Sequence, residues 1–443
     1  MDAVLLARLQ FALTIGFHFL FPPITIGLGW LIVILEWLGW KRNDEGYVRI
    51  ARFFGKLFGL TFAMGVATGI VMEFQFGTNW AEYSKFVGDI FGAPLAAEGI
   101  LAFFLESGFL GLYLFGRGRI SKKFHWYSSL MVAVGATLSA FWIIVANSWQ
   151  QTPAGYAIRN GRAELTDFWA AVFNPSTLIR YVHTIDACLI TGAFFMMGIS
   201  AALILRNKEA ELAKRSFRIA LIFGLAASLI AVYPTGHEHA KQVAHTQPEK
   251  FAAIEGLYTS QSGAPIVLFA IPSEKPPTLH APIEIPGLLS WMAFGDVNAQ
   301  IKGINEFPYD EVPPLWLTFV SFHNMVILGF FFIAVTGYGS YLLYRKRLWE
   351  KKKLLKLFLW SIPLPLAACQ LGWIVAEVGR QPWIVYRLLK TTDAVSISVS
   401  AGEILFSIIL FGVIYLLLGT LYVYLLVKKV QHGPEPLPAR ESA

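Results

Sequence analysis

Two histidines and a methionine set in apolar surroundings, His18, His183 and Met325, are the side chains of this chain best suited to hold haem iron. His183 and Met325 would fill both axial positions of one iron. That arrangement suits electron transfer, and the thioether raises the potential. His18, in Phe17-His18-Phe19-Leu20-Phe21, has no evident second ligand and would leave one face of an iron open. A fourth candidate is Glu377, which opens Glu377-Val378-Gly379-Arg380-Gln381-Pro382-Trp383. An acid at membrane depth is costly and therefore functional by default. The blander alternatives stay open: an interior histidine held by one interhelical hydrogen bond, worth about 0.6 kcal/mol in lipid, and a gap-filling methionine.

Other groups point to proton handling. Glu98 and Glu106 are eight residues apart, so a regular helix places them about 80° apart around its axis and about 12 Å apart along it. Buried carboxylates of this kind can pass protons; pairing with a basic residue such as Arg8 or Arg380 is the alternative. Glu73 nears a helix end. Arg380 beside Glu377 suits a propionate, and Trp373, one turn earlier, suits porphyrin packing, electron relay or a place at the lipid interface. Lys250 and Glu255 would together serve a quinol, the lysine bonding an oxygen and the glutamate accepting a proton; an ordinary surface pair, of which many exist, is the alternative. His237, Glu238, His239 and His245 match no strong zinc spacing and read as a solvated loop.

The elements that must position these groups follow from composition. Of 443 residues 56% are hydrophobic and 15% charged, against roughly 25% charged in soluble domains; the mean hydropathy is +0.55. Nine apolar runs are long enough to span a bilayer: about 10–40, 53–76, 92–116, 124–148, 178–206, 215–235, 313–345, 355–378 and 399–427. Pro22, Pro23, Pro363 and Pro365 should kink these helices rather than end them. The first run lacks a basic flank and a cleavage site and reads as retained. The net charge of +7 lies in clusters between runs, which excludes a nucleic-acid reading and puts the N-terminus outside and the C-terminus in the cytoplasm. The expected organisation is helices 1–6 in 1–235, an extracytoplasmic loop in 236–312, helices 7–9 in 313–429 and a disordered cytoplasmic tail in 430–443. His18, Glu98, Glu106, His183, Met325 and Glu377 then all lie in the outer half of the membrane. Cys188 and Cys369 lie in apolar runs, and no Cys-x-x-Cys-His motif for covalent haem attachment occurs.

The motifs add up to a family resemblance that runs nearly end to end. Arg8-Leu9-Gln10-Phe11-Ala12-Leu13-Thr14, His18-Phe19-Leu20-Phe21, and Phe62-Ala63-Met64-Gly65-Val66-Ala67-Thr68-Gly69 lead into Met72-Glu73-Phe74-Gln75-Phe76-Gly77-Thr78-Asn79-Trp80. Gly92-Ala93-Pro94-Leu95-Ala96 with Glu98, Phe103-Phe104-Leu105-Glu106-Ser107, Val182-His183-Thr184 and Gly379-Arg380-Gln381-Pro382-Trp383 follow. The chain resembles cytochrome bd quinol oxidase subunit I of the short-loop type. The resemblance implies a low-spin haem b, a high-spin haem b and a chlorin-type haem d. It makes His183 and Met325 the axial pair of the low-spin haem and gives His18 and Glu377 to the two high-spin haems, in an order left open. Arg8, Arg380 and Gln381 join them as cofactor-binding residues. Glu98 and Glu106 become an acid pathway, Trp373 an electron relay, and Lys250 and Glu255 part of the quinol site. One departure is His323, followed by Asn324, where relatives often carry arginine two residues before the axial methionine.

The expected fold is therefore an all-α membrane protein, a bundle of about nine transmembrane helices with one long extracytoplasmic loop. The expected activity is a quinol:O₂ oxidoreductase in the bacterial cytoplasmic (inner) membrane. It would use ubiquinol or menaquinol, be electrogenic through cytoplasmic proton uptake, and be partnered by a subunit II and a small single-helix subunit. A proton-coupled transporter and a b-type cytochrome that never touches O₂ are the rivals. A dithionite-reduced spectrum with and without CO separates the three.

Overall fold

The structure is a computed structural model and describes residues 2–274 and 277–436. Among these residues nine helical segments are long and apolar enough to cross a membrane. The first comprises α1 (Ala3–His18) and α2 (Pro22–Arg42). Next come α3 (Glu45–Thr78), then α4 (Ala81–Ala97) joined to α5 (Phe104–Phe115) through a π-helical turn at Glu98–Phe103, then α6 (Lys122–Gln151). A short helix α7 (Phe168–Val172) precedes α8 (Thr177–Leu205). The sixth segment is α9 (Ala210–Ile230), a second π-helical turn at Ala231–Gly236, and α10 (His237–Thr246). After α11 (Pro248–Glu255) and α12 (Leu288–Phe294), the last three are α13 (Leu315–Tyr344), α14 (Lys352–Trp360) with α15 (Pro363–Val378), and α16 (Ala401–His432).

The prolines act differently from the expectation that they would kink continuous helices. The backbone leaves the helix at Phe19–Phe21 and restarts with Pro22 and Pro23 in the first turn of α2. It does so again before Pro363 in α15. Proline has no N–H to lose at a helix start, and its fixed φ suits that position. His18 thus ends a helix rather than standing inside one.

α8 is the central post: 83% of its apolar window is buried, against 11% for α16 on the outside. Phe194 on α8 meets Phe332 of α13 and Phe358 of α14, and Phe217 of α9 meets Phe358 edge-on. α2 and α8 touch backbone to backbone. A Cβ on Gly27 would stand 2.0 Å from the Cys188 carbonyl oxygen, and one on Gly192 would stand 2.2 Å from the carbonyl carbon of Gly27. In lipid, where apolar burial drives little association, such small-residue contacts supply the packing.

Residues 236–312 fold rather than hang as a loop. α10 continues the sixth segment past Gly236, because the polar run beginning at His237 ends the apolar signal but not the helix. α11 and α12 share a small core of Val243, Phe251, Ile254, Leu289 and Ile301. Three short strands come first in the chain, β1 (Tyr156–Arg159), β2 (Arg162–Leu165) and β3 (Gln261–Ser262). An antiparallel hairpin of β4 (Ile266–Glu274) and β5 (Pro277–Ile285) lies against α13. The C-terminus also departs from the expected disordered tail. α16 runs to His432, and Glu435 bonds to Lys56 and Lys429. The rest of that expectation, including Pro438, falls on 437–443, outside the described residues.

Candidate functional site

His18, at the C-terminal end of α1, places its Nδ1 3.0 Å from the Thr68 hydroxyl of α3. That hydroxyl donates its one proton to the backbone, with Met64 O at 2.8 Å, so it accepts from His18 Nδ1–H. Proton placement inferred from the network leaves Nε2 with its lone pair free. Gly69, next in the chain, keeps the ring's space open: a Cβ there would stand 3.2 Å from His18 Cε1. The run Met64–Gly69 is thus the back wall of the His18 site.

His183 on α8 repeats the arrangement. Its Nδ1 lies 3.3 Å from the Thr235 hydroxyl in the second π-helical turn, and Thr235 donates to Asp186 Oδ2 at 2.9 Å. The imidazole is again held as the Nδ1–H tautomer with Nε2 free. Outer partners of this kind fix ring orientation and ligand basicity in metal sites. The same π-helical turn reaches α13, where a Cβ on Gly329 would meet Val232 at 3.3 Å. Met325 lies one turn earlier on α13. Its sulfur faces α15, where a Cβ on Gly372 would stand 2.9 Å from it.

α15 also approaches α1. Gln370 Nε2 donates to Gly16 O at 2.8 Å, and Trp373 packs on Phe11 with ring centroids 6.2 Å apart. Glu377 lies seven residues beyond Gln370, about two turns or 10 Å along the helix. The α1–α15 contact thus ends two residues before His18 on α1 and one turn before Glu377 on α15. Around Glu377 the chain builds a polar cluster. Asn147 of α6 donates to Oε1 at 2.8 Å, Arg380 donates to Oε2, and buried Arg180 of α8 donates to Asn147 Oδ1. Gln381 Nε2 donates to Glu377 O at 3.4 Å and its Oε1 accepts from Thr391. Arg380 is 4% exposed, yet its Nη1 has no hydrogen-bond partner. A buried cationic donor without a partner is expensive, and a carboxylate is the group that would satisfy it. The residues thus fit a carboxylate-bearing porphyrin: two imidazoles with free Nε2, a thioether, an acid and an orphaned guanidinium N–H. Arg8 is half-buried on α1, away from the contacts of this cluster.

Glu98 opens the first π-helical turn and accepts from Ser139 of α6 at 2.6 Å. Buried Glu106 packs on the same helix at Gly135, where a Cβ would meet Glu106 Cβ at 2.9 Å. Gly135 and Ser139 are one turn apart, so both acids face one stripe of α6. The wider π-helical turn shifts their angular relation from the 80° of an uninterrupted helix. Glu98 lies within Coulombic reach of both Glu73 and Glu106.

Lys250 and Glu255 are both 4% exposed rather than displayed on a surface. Lys250 Nζ donates to Gln151 Oε1 and to Ala376 O, each at 3.2 Å, against the last turn of α15. Burial, with Arg180 and Arg380 nearby, holds this lysine well below its usual range. Burial pushes the Glu255 carboxyl up to about 8. Five residues on one helix set the two about 140° apart, so they address different neighbours. The histidines read as a solvated loop sit on α10, and His239 packs edge-on to His183 with centroids 5.5 Å apart. His323 stacks on Phe319, with Nδ1 3.0 Å from Phe319 O and Nε2 2.9 Å from Val267 O. Asn147, Arg180, Thr235, Asp186, Ser139 and Gln151 escaped sequence reasoning, and Thr68 stood in a family motif without a role. Each is an ordinary polar residue given meaning by a partner on another helix.

The sequence profile of the family described as "Cytochrome bd terminal oxidase subunit I" matches residues 6–434. The chain is 43% identical to "Cytochrome bd ubiquinol oxidase subunit 1" of Bacillus subtilis (strain 168), covering 98% of this chain and 95% of that protein. It is 36% identical to "Cytochrome bd-II ubiquinol oxidase subunit 1" of Escherichia coli (strain K12), over 99% and 98%. Among solved structures, the bd oxidase from Geobacillus thermodenitrificans superposes with a TM-score of 0.92 at 30% identity, over 98% of this chain and 99% of that one.

Proposed function

The chain belongs to the cytochrome bd terminal oxidase subunit I family, and on that premise we propose that it is the haem-bearing, quinol-oxidising and O₂-reducing subunit of such an oxidase. The observation that supports the site assignment is a shared geometry: Nδ1 of His18 and Nδ1 of His183 each lie against a threonine hydroxyl, at 3.0 and 3.3 Å, a pairing that leaves Nε2 for iron. His183 and Met325 hold the low-spin haem b. His18 and Glu377 serve the high-spin haem b and the haem d. When bound, these groups supply the electron carriers and the iron that takes O₂.

The chain's own residues do the rest. Arg380 Nη1 would receive a propionate, and Gln381 keeps the segment in place through Thr391. Arg8 contributes at the α1 side. Trp373 bridges the aromatic gap between α1 and α15. Lys250 meets a quinol oxygen, and Glu255 takes a quinol proton once it is ionised. Glu98 and Glu106 hold protons for water formation along the α6 stripe. With quinol protons leaving outside and consumed protons arriving from the cytoplasm, turnover charges the membrane without a dedicated pump. Orientation follows the positive-inside pattern, N-terminus outside and C-terminus in the cytoplasm. A subunit II, a small single-helix subunit, and ubiquinol or menaquinol complete the assembly. The test is one optical series on the purified oxidase: dithionite-reduced, with and without CO. Low-spin and CO-reactive bands together are expected; a colourless protein, or low-spin bands without CO reactivity, defeats the proposal.

A further inference from the structure

The β4–β5 hairpin carries apolar side chains that stand open among the described residues. Leu268, Phe269 and Ile271 on β4 and Ile283 and Ile285 on β5 are 44–59% exposed. Regular alternation would send Val267 and Phe269 to the same face. The register instead shifts between Val267 and Phe269 and again between Phe269 and Ile271. Such irregularities twist a strand. Val267 and Ala270 therefore pack on Phe319 of α13, while Phe269 and Ile271 stay outside. Phe269 is paired with Ile283 and Ile266 with Ile285, so the open side chains of the two strands are neighbours. In water a hairpin of this kind is an aggregation site.

α13 sets the depth at which the hairpin sits. Arg345, Lys346 and Arg347 follow its last residue, Tyr344, and mark one edge of the membrane. A hydrocarbon core of about 30 Å takes about 20 helical residues, which counts back to about Met325. His323 Nε2 lies 2.9 Å from Val267 O, and Phe319 and Val320 share a small core with Val267, Ala270 and Leu279. These anchor points precede Met325 by two to six residues, about 3–9 Å along the helix. The headgroup layer on each side of the core is about 5–8 Å deep, so the hairpin is level with it. Ile327 and Phe330, on the next turns of α13 into the membrane, are exposed as well. Trp291, on α12 directly after β5, is also exposed, and tryptophan favours this layer. A two-stranded hairpin leaves the outer edges of both strands unpaired, which hydrocarbon forbids and the wetter boundary allows.

We propose that the hairpin is a membrane-surface anchor, with Leu268, Phe269, Ile271, Ile283 and Ile285 seated in the headgroup–acyl boundary of a phospholipid leaflet. Its inner face then holds α11 at that surface. Gly256, which caps α11, is packed so closely that a Cβ would stand 2.9 Å from Phe319 and 3.0 Å from Leu279 of β5. The hairpin thus covers the turn that follows Glu255. The inference rests on the membrane span of α13 and on no haem or quinol assignment.

The test uses the intact oxidase in phosphatidylcholine nanodiscs. Phe269→Cys and Ile283→Cys are labelled singly with an environment-sensitive fluorophore; Cys188 and Cys369 are buried, and labelled wild type gives the background. Arg159→Cys, on the exposed β1–β2 hairpin, is the aqueous control. Lipids with a nitroxide high on the acyl chain should quench both hairpin labels strongly, more than lipids with the nitroxide near the chain end, because the seat is shallow. Iodide should quench the Arg159→Cys label and spare the other two. Iodide quenching of the hairpin labels without quenching by nitroxide lipids would overturn the proposal, leaving the face in water. Protection from both quenchers would also overturn it, because protein then covers the face. Thermal unfolding equal to that of the wild type shows that each labelled variant is folded.

Discussion

Replacing Gly372 with alanine tests whether Met325 is an axial ligand. The added Cβ would stand 2.9 Å from Met325 Sδ, where ordinary contact begins at 3.4 Å, so the sulfur must retreat by about 0.5 Å, the difference of the two. Metal–ligand distances tolerate only about 0.2 Å. Overpacking of this size costs about 1–3 kcal/mol, and each 1.4 kcal/mol is about tenfold in an equilibrium. α15 itself gains helix propensity from the change, about 1 kcal/mol, so global unfolding is not the expected outcome. The load falls on the flexible thioether instead. In the reduced spectrum of G372A the sharp low-spin band should fall, and CO should bind one additional haem per complex, because an axial position has opened. Met325→Leu should reproduce both changes without any crowding. If G372A and Met325→Leu keep the low-spin band and the wild-type CO stoichiometry, Met325 is not an iron ligand.

Thr235→Val removes the acceptor of His183 Nδ1–H. Haem retention at that site should weaken by about 10- to 100-fold in dialysis against apomyoglobin, and Thr235→Ser should restore it. Glu106→Gln should slow reoxidation of the reduced enzyme by O₂ about 100-fold or more in stopped flow; wild-type turnover and voltage generation would remove Glu106 from the proton path. Glu255, with its carboxyl raised to about 8, is protonated at neutral pH, and only its carboxylate accepts a proton. The kcat/KM for quinol should therefore rise as pH passes through about 8, and Glu255→Gln should flatten the profile. The stability consequence has a definite sign. A raised carboxyl makes the folded state bind the extra proton between its unfolded value of 4.5 and about 8. That contribution is complete below 4.5 and lost as pH rises through 8. The Tm of Glu255→Gln relative to the wild type should thus increase from pH 5 to pH 9.

The nine spans were legible because each exceeds the length and hydropathy a bilayer demands, and no soluble core needs them. His18, His183, Met325 and Glu377 were legible as candidates because polar or soft side chains are conspicuous among aliphatic neighbours. The partners that orient them were not. Thr235 lies 52 residues from His183 in sequence, and Asn147 lies 230 from Glu377. Nothing local distinguishes either from any other threonine or asparagine. Proline misled for a physical reason: the same residue kinks a helix from inside or starts one at its first turn, and the choice depends on whether neighbours bond the freed carbonyls. Lys250 and Glu255 were visible as a pair, but not their burial, because the short α11 draws its apolar cover from α10, α12 and α15. The polar start of α10 hid a helix for the converse reason: packing on α8 and α12, not its own hydropathy, keeps His237–Thr246 helical.

The glycine crossing of α2 and α8 works as a caliper. His18 precedes Gly27 by nine residues, and His183 precedes Gly192 by nine. The two segments are the first and fifth crossings, so they run in the same sense through the membrane. The contact at Gly27 and Gly192 brings α2, which begins just after His18, to backbone distance of α8, which carries His183. On the proposed ligation, in which His18 and His183 would each hold an iron, tunnelling decays exponentially with their separation, so side chains at that crossing would lengthen the gap and slow electron flow without touching a ligand.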